Sequence, residues 1–367
     1  MHSEKILSVK YIGKKETIDI EVDSKNHIFY GNGIATSNSH GVAYGLITYY
    51  TAYVKAHFPL HFYTAWLASA REKADFKEEA AELINDARGN NIDIKGPSAL
   101  LANENFIIKN NKVCYGLGTI KGIGSSVKQL TKVLQEHDLK NMSWLEVLLI
   151  ISPKLNKTNF ISLIKSGAFS YLGIYRQRML AEYAAIEELT GKYEISWLVE
   201  NINNFKTLNE GVRLLLQTKN VAKSRKEKVL GLALMLENPP SELIDNEDWI
   251  ASTETSLFGT SLSCSKLDNC EKIGDTTCAE FSSKQAKEFT MSVEIMRVSD
   301  YVPKTGKLQG KRMLYLTFTD NTGTIEGVAF PDCLKEFDYL LFKGNTVCIV
   351  GKKTEKGSIS LTSVIQI

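Results

Sequence analysis

The chain has 367 residues, 43% of them hydrophobic and 23% charged, with a formal net charge of +2. That length provides for two or three domains with more than one core. The charge balance excludes a polycation, so any basic surface must be local. The cysteines form no C-x-x-C pair, and Cys264, Cys270 and Cys278 have neither zinc-site spacing nor a neighbouring histidine. No metal site and no cofactor are therefore expected in this chain, and the thiols are expected to be reduced in a cytoplasmic setting. The opening MHSEKILSVK has no apolar core of a secretory signal, and the apolar run 42–70 is interrupted by Lys55, His57, Pro59 and His61. That run is expected to be a buried helix pair, not a membrane span.

Residues 1–38 alternate apolar and polar side chains and are expected to form short strands. Thr17 to Asp23 reads as one strand, Asn26 to Tyr30 as another, and Gly31-Asn32-Gly33 as a hairpin turn before Ile34 to Asn38. Asn38 is followed by Ser39. An asparagine amide can attack its own backbone carbonyl, form a succinimide and release the next residue. The neighbouring hydroxyl can beforehand receive an acyl group, and His27 is placed to move the proton. IDIEVDSKNHIFYGNGIATSN resembles the last two sequence blocks of an intein. The resemblance implies that Asp19 assists the nucleophilic steps and that His27 assists cyclisation. Asn38 would cyclise and Ser39 accept the upstream chain. Where many inteins have a penultimate histidine this chain has Ser37, which leaves more of the carbonyl polarisation to His27 and backbone donors. The intein N-terminal part is expected on a separate polypeptide. A plain hairpin with a chemically idle Asn-Ser junction is the alternative.

Residues 39–250 are expected to be mainly helical. Ser39 is a good helix cap, and a helix start beside His40 suits a phosphate. SHGVAYGLITYYTAYVKAHFPLHFYTAWL resembles the end of the fingers domain of the bacterial DNA polymerase III alpha subunit. By that resemblance Ser39 and His40 would be nucleotide-proximal. Val113 to Gly124 places two glycines around one apolar residue ahead of a helix expected over 125–134, with Lys121 and Lys128 beside them. Such a hairpin lets backbone N–H groups approach a DNA phosphate. We read it as a helix-hairpin-helix, with Lys121, Gly122, Gly124 and Lys128 on the backbone. YGLGTIKGIG together with Leu163 to Phe169 resembles the tandem hairpins of the same family, which adds Arg176 and Arg178 to the second copy. A helix is expected over 176–189. The basic cluster from Lys219 to Lys228 is expected to be a solvated helix face.

Residues 251–284 are rich in Ser, Thr and Cys and are expected to be a connector. Within it Glu254 to Phe258 resembles the family's sliding-clamp peptide, with Leu257 and Phe258 filling a partner pocket and Glu254 where the family prefers Gln. A structural role as the lead into the last domain competes with that reading. From residue 285 alternation returns. Strands are expected at about 289–299, 312–319, 324–330, 346–352 and 358–366, with a helical piece over 331–341 after the third. That is the order of an OB-fold, whose groove takes single strands. Its loops carry Lys304, Lys307, Lys311 and Arg312, and Lys352, Lys353 and Lys356. Tyr301, Tyr315 and Phe318 are candidate base-stacking rings.

The expected fold class is multidomain α+β. It comprises an all-β intein fragment (1–38), the fingers end (39–105), a helix-hairpin-helix domain (106–250), the connector and a five-stranded OB barrel (285–367). The resemblance implies the C-terminal portion of a replicative polymerase, joined to its N-terminal half by trans-splicing at Asn38-Ser39. The carboxylates that hold Mg2+ would lie in the palm of that half, so this chain is expected to be inactive alone. The implied partners are that half with its intein fragment, primer-template and single-stranded DNA, and a sliding clamp. A free-standing DNA-binding accessory protein without splicing is the alternative.

Overall fold

The structure is a computed structural model. It describes residues 28–31, 34–37, 40–70, 76–191, 193–239, 242–264, 266–268, 270, 273–320, 322–355 and 357–367. It divides into two compact units, 1–58 and 59–367. Within the second unit one apolar core runs from Phe62 to Phe258.

In the first unit β1 (Ile28–Gly31) pairs antiparallel with β2 (Ile34–Ser37), with Ile28 opposite Ser37 and Gly31 opposite Ile34. Asn32 and Gly33 of the expected turn lie outside the described residues. The α1 helix (His40–His57) follows. The Thr17 to Asp23 strand lies outside the described residues.

The second unit starts with α2 (Pro59–Ala70), for which Pro59 supplies a preset first-turn φ. Next come α3 (Phe76–Gly89) and a small sheet of β3 (Ile94–Lys95), β4 (Ile107–Lys109) and β5 (Lys112–Cys114), ordered β3-β5-β4. The α4 helix (Val127–Gln135) buries Val127, Leu130, Thr131 and Leu134, one stripe at helical spacing. A capping box on Ser143 opens α5 (Trp144–Glu146), which runs into a π-helical turn at Val147–Ile151. In α6 (Lys157–Lys165) the Asn156 side chain accepts from the Asn159 N–H at 2.7 Å and fixes the helix start. The α7 helix (Arg176–Glu188) matches the expected span. Its N-terminal N–H groups are capped from afar: those of Arg176 and Gln177 donate to Asp245 at 2.7 and 2.9 Å. The α8 (Glu194–Glu200), α9 (Leu208–Leu216) and α10 (Lys226–Glu237) helices complete the region.

The expected connector is more ordered than its composition suggests. The α11 helix (Glu247–Phe258) is capped by Asn246, carries Glu247 and Asp248 in its first turn and stops at Gly259. A short α12 (Cys278–Phe281) has its own capping box on Thr277. Local caps prevail here over a Ser/Thr-rich composition.

The last region is a closed barrel of β6 (Phe289–Tyr301), β7 (Met313–Asp320), β8 (Gly323–Ala329), β9 (Thr346–Lys353) and β10 (Ile359–Gln366), ordered β10-β8-β7-β6-β9. The α13 helix (Pro331–Phe337) follows β8. The strands match the expected spans to within two residues, the helix stops four residues short of its expected end and gives way to a 3-10 turn at Asp338–Leu340, and the architecture is OB-like. Alternation sets the core: Phe289, Met291, Val293 and Ile295 on β6 face Leu314, Leu316 and Phe318 on β7 across a second apolar cluster. Side chains tie the barrel to α3 directly and through the segment after α11: Asn85 reaches the Met296 sulfur on β6, Arg88 on α3 donates to the Ser261 carbonyl at 2.6 Å, and Lys266 from that same segment bridges Glu294 and the Gly344 carbonyl at 3.0 Å each.

Candidate nucleic-acid interface

The first hairpin lies between two 3-10 turns, Leu117–Thr119 and Gly124–Ser126, ahead of α4. Lys121, Gly122 and Gly124 are exposed, and so is Lys128 on α4. Gly122 has φ +95° and Gly124 φ +47°. Among the described residues the N–H groups of Gly122 and Gly124 find no acceptor. An exposed loop with free N–H groups and an adjacent lysine can hold a phosphate. The loop is held on α6: the Ser162 hydroxyl donates to the Lys121 carbonyl at 3.0 Å, and Asn159 donates to the Ser126 hydroxyl at 2.8 Å.

The second hairpin departs from expectation. Arg176 is buried: Nη1 donates to the Lys165 carbonyl at 3.0 Å and Nη2 to Glu254 Oε1 at 2.9 Å. Its guanidinium closes the interior and does not present itself to DNA, since its charge is already matched by a buried carboxylate. Arg178 is half-exposed and paired with Glu182 at 3.0 Å. Leu257 and Phe258 are also buried, with Phe258 packed 4.7 Å from the Tyr115 ring. The clamp-peptide reading is therefore replaced by the structural one. Both side chains fill the helical core, and Glu254 accepts from the Leu262 and Ser263 N–H groups and from the Ser261 and Ser263 hydroxyls. In the basic cluster Lys219, Lys223, Lys226 and Lys228 are exposed, as expected of a solvated face, while Arg225 pairs with Glu194 and Lys228 with Glu188.

The barrel carries a groove of about 640 Å³ whose lining includes Arg297, Tyr315, Glu326, Phe330 and Glu355. Tyr315 is exposed beside Tyr301, with ring centroids 5.5 Å apart. Phe318 is fully buried inside the barrel and is no stacking platform. It follows the inward phase of β7, where Tyr315 follows the outward one. Lys304, Lys307 and Lys311 are exposed on the long loop after β6, and Lys352 is exposed at the end of β9. Arg312 is held by Asp300 and by Asp338 at 2.8 Å, and these two carboxylates raise its pKa further. Lys353 donates to the Ser282 carbonyl at 2.7 Å and lies over the Phe281 ring. Lys356 lies outside the described residues. Arg297 and Phe330 were missed from the sequence. Arg297 stands beside a register shift in β6, where simple alternation fails. Replacing Tyr315 by alanine is expected to weaken single-strand binding by about 1–3 kcal/mol, read as a 5–150-fold rise in Kd by fluorescence anisotropy. An unchanged Kd would remove the ring from the site.

Asp19, His27, Asn38 and Ser39 lie outside the described residues, as does the His40 side chain, although the His40 backbone opens α1. Among the described residues no group of three or more His, Cys, Asp or Glu could hold a metal ion. No described helix is long and apolar enough to cross a membrane.

A helix-hairpin-helix family model matches residues 91–179. The chain is 25% identical to DNA polymerase III subunit alpha of Aquifex aeolicus over 86% of its own length and 24% of that protein. It is 25% identical to the Bacillus subtilis subunit over 92% of its length and 27% of that protein. Over 44% of its length it is 32% identical to the Deinococcus radiodurans subunit, covering 12% of that protein. The chain thus spans about a quarter of the relatives it matches over most of its own length. The chain is thus similar to about a quarter of these DNA polymerase III alpha subunits, and it combines a helix-hairpin-helix match with an OB-like barrel.

Proposed function

We propose that this chain is the DNA-gripping C-terminal portion of a replicative polymerase of the polymerase III alpha type. The observation that carries this reading is the pairing, in one compact unit, of an exposed Gly122/Gly124 hairpin with a barrel groove beside an exposed tyrosine. The hairpin takes duplex phosphates through N–H groups, Lys121 and Lys128. The barrel takes a single strand, with Tyr315 stacking and Lys304, Lys307, Lys311 and Lys352 matching phosphates. Phosphoryl transfer and its Mg2+ belong to an N-terminal half that supplies the palm, in the cytoplasm. Anisotropy titration of the chain with blunt duplex and with a single-stranded oligonucleotide tests the reading. Micromolar or tighter, salt-sensitive binding of both is expected, and binding of neither overturns it.

We further propose that residues 1–38 are the C-terminal fragment of a split intein, followed by the fingers end at 39–105. The antiparallel pairing of β1 with β2 supports this, because paired strands just ahead of the junction are what such a fragment is expected to form. In the proposed chemistry the upstream acyl group, carried as an ester or thioester on the nucleophilic side chain of the N-terminal fragment, first passes to the Ser39 hydroxyl oxygen, and that side chain leaves with the hydroxyl proton. The Asn38 Nδ2 then attacks the Asn38 carbonyl carbon, the bond to the Ser39 nitrogen breaks, and that nitrogen takes the proton. His27 relays the proton, Asp19 assists the earlier transfer, and the freed amine captures the acyl group from its own oxygen as an amide. Asn38→Ala, mixed with a matching N-terminal half, is expected to abolish release of residues 1–38 by mass spectrometry. Undiminished release would remove Asn38 from the chemistry. DNA binding with no ligation of the unsubstituted halves would favour the free-standing accessory protein.

A further inference from the structure

Strand register sets two rows of side chains across the outer face of the barrel. Arg297 on β6 faces Thr317 on β7, and Thr317 faces Glu326 on β8. In the next row Ser299 faces Tyr315, and Tyr315 faces Val328. All six line the groove of about 640 Å³. Tyr315 and Thr317 are two residues apart on one face of β7, so a base stacked on the Tyr315 ring lies beside the Arg297–Glu326 row. The groove itself is a poor path for phosphates. Among its described lining residues one cation, Arg297, stands against two carboxylates, Glu326 and Glu355. The exposed lysines, Lys304, Lys307, Lys311 and Lys352, are on the β6–β7 loop and at the end of β9. Like charge keeps a strand's backbone on those lysines and turns its bases toward the row. Arg297 also contacts Glu82 at 3.9 Å, with both side chains more than half exposed, and water screens that pair.

We propose that Glu326 makes this groove a reader of unpaired guanine. The inference rests on the single-strand reading above and takes it from strand binding to base choice. A carboxylate only accepts hydrogen bonds. Guanine alone among the four bases presents two adjacent donors on its pairing edge, N1–H and N2–H, one for each carboxylate oxygen. Adenine and cytosine offer an amino group beside a ring-nitrogen acceptor, and thymine an N–H between two carbonyls. A carboxylate meets a repulsive acceptor at each of these. Arg297 supplies the complement, because a guanidinium donates to guanine O6 and N7. Two inter-strand spacings, roughly 10 Å, separate β6 from β8. A base with a hydrogen bond of about 2.9 Å on either side suits that span. In a duplex the paired cytosine occupies N1–H and N2–H, so Glu326 reads guanine in a single strand only.

The test uses the full chain and single strands of about ten nucleotides, within the range one OB-fold covers. One strand is all thymidine, and the others carry guanosine or inosine at alternate positions, in lithium buffer so that guanines do not associate. Wild type is expected to bind the guanosine strand about tenfold more tightly than the thymidine strand. Inosine lacks only the N2 amino group and is expected to lose about three- to fivefold of that preference. Glu326→Gln is expected to bring the guanosine and thymidine strands within about twofold of each other. Glu355→Gln, on the loop beyond the row, is expected to leave their ratio unchanged. Equal wild-type affinity for the two strands overturns the proposal. So does a Glu326→Gln effect of the same factor on both, which is what removing a charge near phosphates produces, and so does a ratio that collapses in Glu355→Gln. If wild type binds none of the strands, the single-strand reading itself fails. Should Glu326→Gln lose its folded circular-dichroism signal, the wild-type inosine comparison decides: inosine bound as tightly as guanosine overturns the proposal.

Discussion

Glu254→Ala is expected to cost the folded chain about 3–5 kcal/mol, because it leaves the buried Arg176 guanidinium without its counterion. The loss extends beyond that pair. Glu254 gathers the Leu262 and Ser263 N–H groups and the Ser261 and Ser263 hydroxyls around one carboxylate, and so anchors the chain leaving α11. Alanine would strand these donors in a region where water replaces them poorly. A melting temperature roughly ten degrees lower is the expected readout in thermal circular dichroism. Glu254→Gln should fall between, since it keeps an acceptor and loses the charge. If Glu254→Ala melts within two degrees of wild type, the pair does not hold the core together.

Gly122→Val is expected to weaken duplex binding by tenfold or more while the barrel still binds a single strand. Two causes act together. Gly122 lies at φ +95°, a region that costs a β-branched residue about 1–3 kcal/mol. An added Cβ would also stand 2.6 Å from the Ser162 hydroxyl, on the face of α6 that holds the loop. The loop must then shift off α6, which displaces the N–H groups that face phosphate. Gly124→Ala separates the two causes: its φ is +47° but nothing lies within 4 Å of a Cβ there. It should therefore show a smaller loss, about 1 kcal/mol in duplex affinity. Anisotropy with the blunt duplex measures both. Equal losses at the two positions would mean that strain alone, and not seating on α6, governs the hairpin.

The barrel was legible because its signal is local and repetitive. Alternation marks β6 to β10 to within a few residues, and the outward phase that exposes Tyr315 is written in the same pattern that buries Phe318. The hairpin was legible for a related reason, since Gly122 and Gly124 carry backbone angles that few other residues accept. The central helices α8 to α10 were less so. They are short, and one of them begins in a basic cluster in which Arg225 and Lys228 pair with Glu194 and Glu188, some thirty to forty residues away along the chain.

By itself the sequence determined the barrel strands and their order, the mainly helical character of the middle region and the turn glycines. These follow from side-chain period, backbone allowance and functional groups, all of which are properties of neighbours along the chain. Only the tertiary structure decided which charged and apolar side chains face water. Arg176 reads as a basic residue beside a hairpin and Leu257-Phe258 as an apolar pair in a polar stretch, yet Glu254 and Tyr115 meet them inside. It likewise decided that Arg297, Thr317 and Glu326 stand in one row across the barrel. Burial and charge pairing are set by residues distant in sequence, and no local pattern records who those partners are.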